Sequence, residues 1–270
     1  MNQTDRTLIL LGFTTILIGF PQAIVAQLPP AQGLIAAQQQ QGMSAVELYN
    51  RGVDKLNAGN YQGAIADFNQ ALQLDPQDAD TYYNRGYAYH TLGSYDKAIT
   101  DYTEAIRLNP KFAQAYSNRG YTYFVLKNYQ QSIADATKAI ELNQSSDNAY
   151  VSRGNAHDEL GNHDAALADY EKALSLNPNS ARAYYNRGLT RNRLNQHQAA
   201  IQDYSQAIRI QPEFAEAYYN RGLSRFNLKN YQEAIADLKK AAQFFQQNGR
   251  TENYQSAMDV IKTIQELGNT

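Results

Sequence analysis

Small and aromatic residues recur at helical intervals in the stretch 79–112. They are Tyr82, Gly86 and Tyr89 in its first half and Ala98, Tyr102 and Ala105 in its second half. Because residues three and four apart share one face of a helix, each half is predicted to form an amphipathic helix. Gly93 and Ser94 separate the halves, and Pro110 ends the second because proline cannot donate to a continuing helix. The stretch is therefore a predicted helix-turn-helix unit.

This pattern returns every 34 residues from Ala45 onwards. The glycine of the first helix recurs at Gly52, Gly86, Gly120, Gly154, Gly188 and Gly222. The small residue of the second helix recurs at Ala64, Ala98, Ser132, Ala165 with Ala166, Ala200 and Ala234. Ser44 and Glu47 have the spacing of a capping box, which satisfies free amides at a helix start. One unit cannot bury the apolar faces of both helices alone, so its copies must stack against it.

Six units are predicted, at 45–78, 79–112, 113–146, 147–180, 181–214 and 215–248. Prolines close four of them, at Pro76, Pro110, Pro178 and Pro212, and Gln144 replaces the proline in the third. In the remaining stretch, 249–270, residues 251–267 carry one apolar stripe. This segment is predicted to be a helix that caps the exposed end of the stack. A helix that binds a partner is the alternative.

The 34-residue spacing and this placement of glycine, alanine and proline resemble the tetratricopeptide repeat family. Where the family usually has tryptophan, this chain has Leu48, Tyr82, Tyr116, Tyr150, Tyr184 and Tyr218, which still fill an apolar slot. The resemblance implies an all-α fold, a right-handed superhelical solenoid of six helix-turn-helix repeats plus the C-terminal capping helix. It also implies that the first helices line an inner groove in which a partner peptide or helix lies.

Residues 1–27 have the features of an export signal. Arg6 is followed by thirteen uncharged, mostly apolar residues and by small residues suitable for cleavage before Gln27. An uncleaved membrane anchor is the alternative, because residues 8–28 carry no charge and are about long enough to span a bilayer. The next segment, 28–44, is rich in glutamine and proline, so we interpret it as a linker without a core.

Two charged residues are identical in all six units. The arginines are Arg51, Arg85, Arg119, Arg153, Arg187 and Arg221, and the aspartates are Asp67, Asp101, Asp135, Asp169, Asp203 and Asp237. A binding site rarely requires the same charge in every repeat, whereas the fold does. We therefore predict that they form structural ion pairs within or between units.

The residue before each arginine indicates a candidate groove. It is asparagine at Asn50, Asn84, Asn118, Asn186 and Asn220, and serine at Ser152. The resemblance implies that such asparagines hold the backbone of a partner, since their side chains both donate and accept hydrogen bonds. A tether to a neighbouring loop is the alternative.

Aromatic residues near these asparagines are candidate anchors for a partner. The predicted partner-binding groove consists of Tyr83, Asn84, Tyr87, Asn118, Tyr121, Phe124, Asn186, Tyr219 and Asn220. Ordinary packing between helices is the alternative for the tyrosines.

Composition and motifs restrict the kinds of binding and catalysis that the sequence predicts. A net charge of -2 over 270 residues gives no reason to expect a nucleic-acid partner, and the lack of cysteine excludes disulfides and thiolate sites. We find no phosphate-binding loop or nucleophile motif, so we predict no enzyme and no cofactor. One cluster has metal-ligand residue types: His157, Asp158, Glu159, His163 and Asp164. Because it straddles a predicted turn, we expect these residues to be solvated and predict no metal site.

Two further substitutions bear on function. His163 and His197 occupy a slot that holds tyrosine in the other four units, and we interpret them as packing substitutions. One subset of the family grips the C-terminal carboxylate of chaperones with two lysines, two asparagines and an arginine. Tyr49, Tyr83, Ser117 and Val151 stand where its first lysine is expected, so no chaperone carboxylate-clamp partner is predicted.

The sequence therefore predicts a non-catalytic scaffold or adaptor for a protein partner, exported or associated with a membrane. The repeat style also resembles arrays abundant in photosynthetic bacteria, which implies the periplasm or thylakoid lumen and, as one function, the assembly of photosynthetic complexes. The alternative is a membrane-anchored spacer or assembly factor without peptide binding in the groove. The sequence does not identify the partner.

Overall fold

The computed structural model describes residues 42–268. This part of the chain contains thirteen helices and no strand. Six helix pairs are followed by a single helix, so the predicted all-α solenoid with a capping helix is confirmed. The predicted export signal or anchor, 1–27, lies outside the described residues. Within residues 42–268, no helix is both long enough and apolar enough to cross a membrane.

The helices alternate between the two members of each pair. The first helices are α1 (Ala45–Asn57), α3 (Ala79–Thr91), α5 (Ala113–Val125), α7 (Asp147–Glu159), α9 (Ala181–Arg193) and α11 (Ala215–Asn227). The second helices are α2 (Tyr61–Leu74), α4 (Tyr95–Leu108), α6 (Tyr129–Leu142), α8 (His163–Leu176), α10 (His197–Ile210) and α12 (Tyr231–Gln247). The last helix is α13, Thr251–Gly268.

The predicted capping box at the start of α1 is confirmed. The Ser44 hydroxyl accepts from the Glu47 amide at 3.2 Å, and the Glu47 carboxylate accepts from the Ser44 amide at 2.8 Å. These two bonds satisfy backbone groups that have no partner within the helix.

The turn within each pair keeps one backbone conformation in all six units. One residue in each turn is left-handed, with φ between 57° and 79°: Gly59, Gly93, Lys127, Gly161, Asn195 and Lys229. Glycine adopts this conformation without a steric cost, whereas lysine and asparagine do so at some cost. The stacked fold therefore preserves the turn even in the three units that lack the glycine.

The glycine of each first helix allows the second helix to approach closely. A Cβ atom at Gly188 would lie 2.7 Å from the ring of Tyr204, which is fully buried. In the third unit Ala136 replaces the ring, and the atom nearest to a Cβ at Gly120 is the Cβ of Asp135, at 3.1 Å. The repeated glycine is thus required by packing.

Every repeated arginine binds the repeated aspartate of its own unit. The shortest distances between nitrogen and oxygen are 2.6 Å for Arg51–Asp67, 2.7 Å for Arg85–Asp101, 2.8 Å for Arg119–Asp135, 2.7 Å for Arg153–Asp169, 2.7 Å for Arg187–Asp203 and 2.7 Å for Arg221–Asp237. All six aspartates are buried. Because each arginine grips both carboxylate oxygens, the pair clamps the two helices of one unit together.

The same arginines also join neighbouring units. In four of them the guanidinium donates to a side chain on the second helix of the preceding unit: Asn69, Thr103, Thr137 or Ser205. In five units it also lies over the tyrosine that replaces the family's tryptophan: Tyr82, Tyr116, Tyr150, Tyr184 or Tyr218. These contacts give both the arginine and the tyrosine a structural role.

Helix α13 closes the C-terminal end of the stack. Its buried side chains, Ala257, Ile261 and Ile264, lie on one face, and its other face is exposed and largely polar. Just before it, the Arg250 side chain forms an ion pair with Glu216 and lies over the Phe245 ring. A terminal helix with one buried apolar face and one exposed polar face ends a repeat array without exposing the core of the array to water.

Candidate functional site

The first helices form one continuous surface of the array. First helices of neighbouring units contact each other more closely than second helices of neighbouring units do. The first helices therefore lie on the inner side of the curved stack, which we call the inner surface. All nine residues of the predicted groove lie on these helices.

Tyr87 and Tyr121 provide the exposed aromatic part of the inner surface. Their side chains are 40% and 37% exposed. The aromatic pocket, a cavity of about 200 Å³, is lined by Tyr87, His90, Thr91, Tyr102, Asn118 and Tyr121. The Phe124 ring lies nearly parallel to that of Tyr121, with centroids 6.5 Å apart, and extends the aromatic surface towards the fourth unit. This pocket has room for one large side chain, well below the volume of a typical small-molecule site.

Hydrogen bonds fix the tautomer of His90 in this pocket. Its Nδ1 lies 2.9 Å from the Thr122 hydroxyl, which itself donates to the Asn118 carbonyl at 2.7 Å. The single hydroxyl proton is thus used, so Nδ1–H must donate to Thr122 and Nε2 is left as an acceptor. Burial lowers the pKa of His90 and raises the pKa of the Tyr102 phenol, so both stay neutral at pH 7. The pocket is lined by uncharged side chains.

Acid should destabilise the fold partly through His90. Because burial lowers the pKa of His90 below 6.5, the unfolded chain binds its proton more readily than the folded chain. The stability that neutral His90 contributes is therefore present above pH 6.5 and lost as the pH falls through the lowered value. Phe124 occupies the corresponding place in the third unit, so we expect a phenylalanine side chain to fit in place of His90. Urea unfolding at pH 7.5 and 5.5 should show a smaller acid-induced decline for His90→Phe than for the unaltered protein. An equal decline would contradict this assignment.

The asparagines of the predicted groove tie successive units together. The Nδ2 atom donates to a tyrosine hydroxyl of the preceding unit in three pairs: Asn84–Tyr49 at 3.2 Å, Asn118–Tyr83 at 3.1 Å and Asn220–Tyr185 at 3.1 Å. Val151 has no hydroxyl, and Asn186 donates instead to Asn155 at 2.8 Å. The amide nitrogens of Asn84 and Asn220 also donate to the backbone carbonyls of Asp80 and Glu216.

These bonds limit what the asparagines can offer to a partner. Because the amide nitrogen of Asn84 and of Asn220 already makes two hydrogen bonds, each side chain can offer a partner only its carbonyl oxygen. The donors are in use because the tyrosine hydroxyl one unit earlier lies within reach. That the asparagines hold a partner's backbone stays a prediction. The structure does contain a tether, but it leads to the first helix of the preceding unit and not to a loop.

The predicted groove tyrosines fall into two groups. Tyr83 is half-buried, and its ring packs against Tyr102 and Phe112 with centroids 6.0 and 4.8 Å away. Tyr219 is also half-buried and meets the Phe245 ring edge-on at 6.3 Å. Both therefore serve mainly to pack helices. Tyr87 and Tyr121, with part of Phe124, are the aromatic groups that the inner surface presents.

A second cavity is lined by Phe124 and by residues of the fourth and fifth units. Its volume is about 160 Å³, and Asp158, Glu159 and Arg193 contribute its charges. Asp158 is buried, and its carboxylate contacts the imidazole of His163 at 2.7 Å and the guanidinium of Arg193 at 2.5 Å. The expectation that this residue is solvated was wrong, because Arg193 comes from the next unit and covers it. Within residues 42–268, no cluster of three or more ligand-type side chains is arranged to hold a metal ion.

Sequence reasoning also missed a matched pair of side chains within each unit. The twelfth and seventeenth residues are aromatic partners in three units, His90–Tyr95, Phe124–Tyr129 and Phe226–Tyr231. In the fourth and fifth units the residues at these two positions are joined by a hydrogen bond. The pairs are Asp158–His163 at 2.7 Å and Asn192–His197 at 3.0 Å. Both histidines are thus polar partners as well as packing substitutions. Comparing the twelfth and seventeenth residues across the units would have revealed that a polar pair replaces the aromatic pair in two of them.

Comparison with known families identifies the array. Profiles described as tetratricopeptide repeat match residues 56–93, 79–112, 113–146, 151–213 and 193–249. The chain belongs to the tetratricopeptide repeat family. Proteins of this family are generally non-catalytic scaffolds for protein interactions. Two of the matched ranges, 79–112 and 113–146, are also the second and third units given by the 34-residue period.

Solved structures similar to the chain are tetratricopeptide repeat proteins. MamA is 29% identical, with a TM-score of 0.56, over 61% of this chain and 96% of MamA. A tetratricopeptide repeat protein from Parabacteroides merdae is 23% identical, with a TM-score of 0.66, over 84% of this chain and 89% of its own. YrrB, described as having an unusual peptide-binding site, is 22% identical, with a TM-score of 0.56, over 72% and 97%. Among curated proteins, none matches the chain significantly.

Proposed function

We propose that this tetratricopeptide repeat protein is an adaptor that binds an extended segment of a partner protein on its inner surface. The observation that carries the proposal is the aromatic pocket between the second and third units, with Tyr87 and Tyr121 exposed at its rim. The corresponding residues of the other units are Val53, Asn155, Leu189 and Leu223. The fold therefore does not require an aromatic residue at this place.

Exposed aromatic side chains beside a cavity favour protein binding for a physical reason. Large rings bury much apolar area at a small entropic cost, and such residues dominate the binding energy of many interfaces. The side chains around them are fixed by hydrogen bonds from Asn118 and His90, so little ordering is needed when a partner binds.

Removing both rings should weaken partner binding without unfolding the array. We expect Tyr87→Ala with Tyr121→Ala to weaken binding by at least about tenfold, since each side chain of this kind contributes roughly 1–2 kcal/mol or more. Leu92→Ala with Leu126→Ala is a matched control, because these side chains are 38% and 36% exposed in the same two units but do not line the pocket. The measurement is affinity capture from the native host, with a tag after Thr270, quantified by mass spectrometry.

The control variant should capture the partner as the unaltered protein does, and circular dichroism should show all variants folded. If the Tyr87→Ala, Tyr121→Ala protein still captures the same proteins, a spacer that does not use its inner surface is the better account. A membrane-anchored spacer would in addition retain membrane proteins in every capture.

We also propose that the protein is exported, to the periplasm or thylakoid lumen, or held at a membrane by its N-terminal segment. The support is the sequence of residues 1–27, with its charge at Arg6 and the uncharged run that follows. Mass spectrometry of the N-terminus of the native protein tests this. A start at Gln27 supports export with cleavage, an intact start in the membrane fraction supports an anchor, and an intact start in the cytoplasm contradicts both.

A further inference from the structure

One side chain from two units away contacts Tyr121, which lines the aromatic pocket. The guanidinium carbon of Arg182, on α9 of the fifth unit, lies 5.9 Å from the ring centroid of Tyr121, on α5 of the third unit. This contact passes over the whole fourth unit, although repeats in such arrays normally touch only their neighbours. The exposed face of Tyr121 thus already holds a guanidinium supplied by the chain itself.

The aromatic pocket, which Tyr121 lines, has the chemistry of a site for a planar cation. Three tyrosines line it, Tyr87, Tyr102 and Tyr121, and the faces of aromatic rings attract cations. Its acceptors include the phenol oxygens and Nε2 of His90, which has no proton in the tautomer that Thr122 imposes. A guanidinium both stacks on rings and donates several hydrogen bonds in one plane.

The charge of the second cavity agrees with this chemistry. The carboxylates of Asp158 and Glu159 share a single guanidinium, that of Arg193, at 2.5 and 2.8 Å. Arg193 is another arginine of α9, 45% exposed. On the inner surface, therefore, one arginine of α9 lies against aromatic rings and another lies against two carboxylates. Both local environments are complementary to arginine.

We propose that the aromatic pocket binds an arginine side chain of the partner and that Arg182 covers part of the same surface in the unbound protein. The inference rests on the proposed function and names the partner's anchoring residue. When the partner's arginine enters, its guanidinium takes the place over Tyr121, and Arg182, which is exposed, moves aside. Arg182 is then a competitor inside the chain.

The test uses the full-length protein and a library of random ten-residue peptides, from which binders are selected. The selected peptides should be enriched in arginine. In fluorescence anisotropy, replacing that arginine with citrulline, which keeps the shape but not the charge, should weaken binding by roughly 2- to 30-fold, the range for a cation on an aromatic face. Arg182→Gln should tighten binding of the same peptide because the competing guanidinium is gone.

Two variants of Tyr121 separate the ring from its hydroxyl. Tyr121→Phe keeps the aromatic face and should retain most of the preference for arginine over citrulline, whereas Tyr121→Leu should lose it. Leu126→Ala, equally exposed and directly after the same helix, should leave the preference unchanged.

The outcomes distinguish this inference from the proposed function. Peptides that require Tyr87 and Tyr121 but bind equally well with citrulline overturn the arginine site and leave the groove-binding function in place. Selection of acidic peptides that bind less tightly to Arg182→Gln also overturns it, because Arg182 would then attract the partner. Failure to select any peptide that depends on Tyr87 and Tyr121, with either the unaltered protein or Arg182→Gln, contradicts both proposals.

Discussion

Asp203→Asn is expected to lower the free energy of unfolding by about 3–5 kcal/mol, the usual cost of removing one partner from a buried ion pair. The carboxylate is 3% exposed and binds Arg187 at 2.7 Å and Arg191 at 2.8 Å. These two arginines are themselves only 16% and 19% exposed. Asparagine would leave both guanidinium groups short of their counter-charge in a place that water reaches poorly. Urea unfolding followed by circular dichroism measures the loss.

An exposed ion pair of the same array is the control for this variant. Glu104 and Arg107 lie 2.6 Å apart but are 31% and 57% exposed, so Glu104→Gln should have little or no effect. Amide hydrogen exchange should locate the loss of protection in Asp203→Asn to α9, α10 and the units next to them. A change no larger than that of Glu104→Gln would contradict a structural role for the repeated pairs.

Gly188→Ala is expected to destabilise the array by about 1–3 kcal/mol, the typical cost of overpacking a core. The added Cβ would lie 2.7 Å from the Tyr204 ring, which is fully buried and cannot swing aside. Helix propensity alone predicts the opposite sign, because alanine is favoured over glycine within a helix by about 1 kcal/mol. The sign of the change therefore shows which effect dominates.

The third unit provides the matched control for this glycine. Ala136 stands where the fifth unit has Tyr204, and a Cβ at Gly120 would meet no ring. Gly120→Ala should thus cost less than Gly188→Ala in the same urea unfolding experiment. Equal losses would mean that the glycine is not explained by its contact with the ring.

Features that repeat with the fold could be predicted from the sequence. The 34-residue period locates the pairs, and the charges that recur at Arg187 and Asp203 in register with it indicate an ion pair. Repetition indicates a structural role here because every unit packs its two helices against each other in the same way. The capping box at Ser44 follows from local chemistry alone, so it too could be read directly.

Features of single units were harder to predict. Asp158 looks solvated from its place near a turn, but it is covered by Arg193, which is 35 residues further along the chain. The hydroxyl of Tyr83 engages Asn118 at the same separation. The contact of Arg182 with Tyr121 depends on the curvature of the stack, which no local pattern encodes. The period gives the order of the helices but not which side chains meet across the inner surface.

The contrast between features shared by the units and features of single units also helps to distinguish residues with a structural role from candidate binding residues. The ion pairs, the glycine contacts and the stacked tyrosines occur in most or all units, and their role is to hold the array together. The two exposed tyrosines at the pocket rim occur only in the second and third units. We propose that a partner recognises what distinguishes one unit from another, and the aromatic pocket is such a feature.

Photo-crosslinking in the native host tests most directly whether partners bind at this pocket. Tyr87→p-benzoylphenylalanine places the reactive group on the inner surface, and Leu74→p-benzoylphenylalanine places it at the end of the second helix α2, where Leu74 is 61% exposed. The account predicts a covalent adduct with a partner protein from position 87 and none with that partner from position 74. An adduct from position 74 alone would contradict it, because the partner would then bind away from the inner surface.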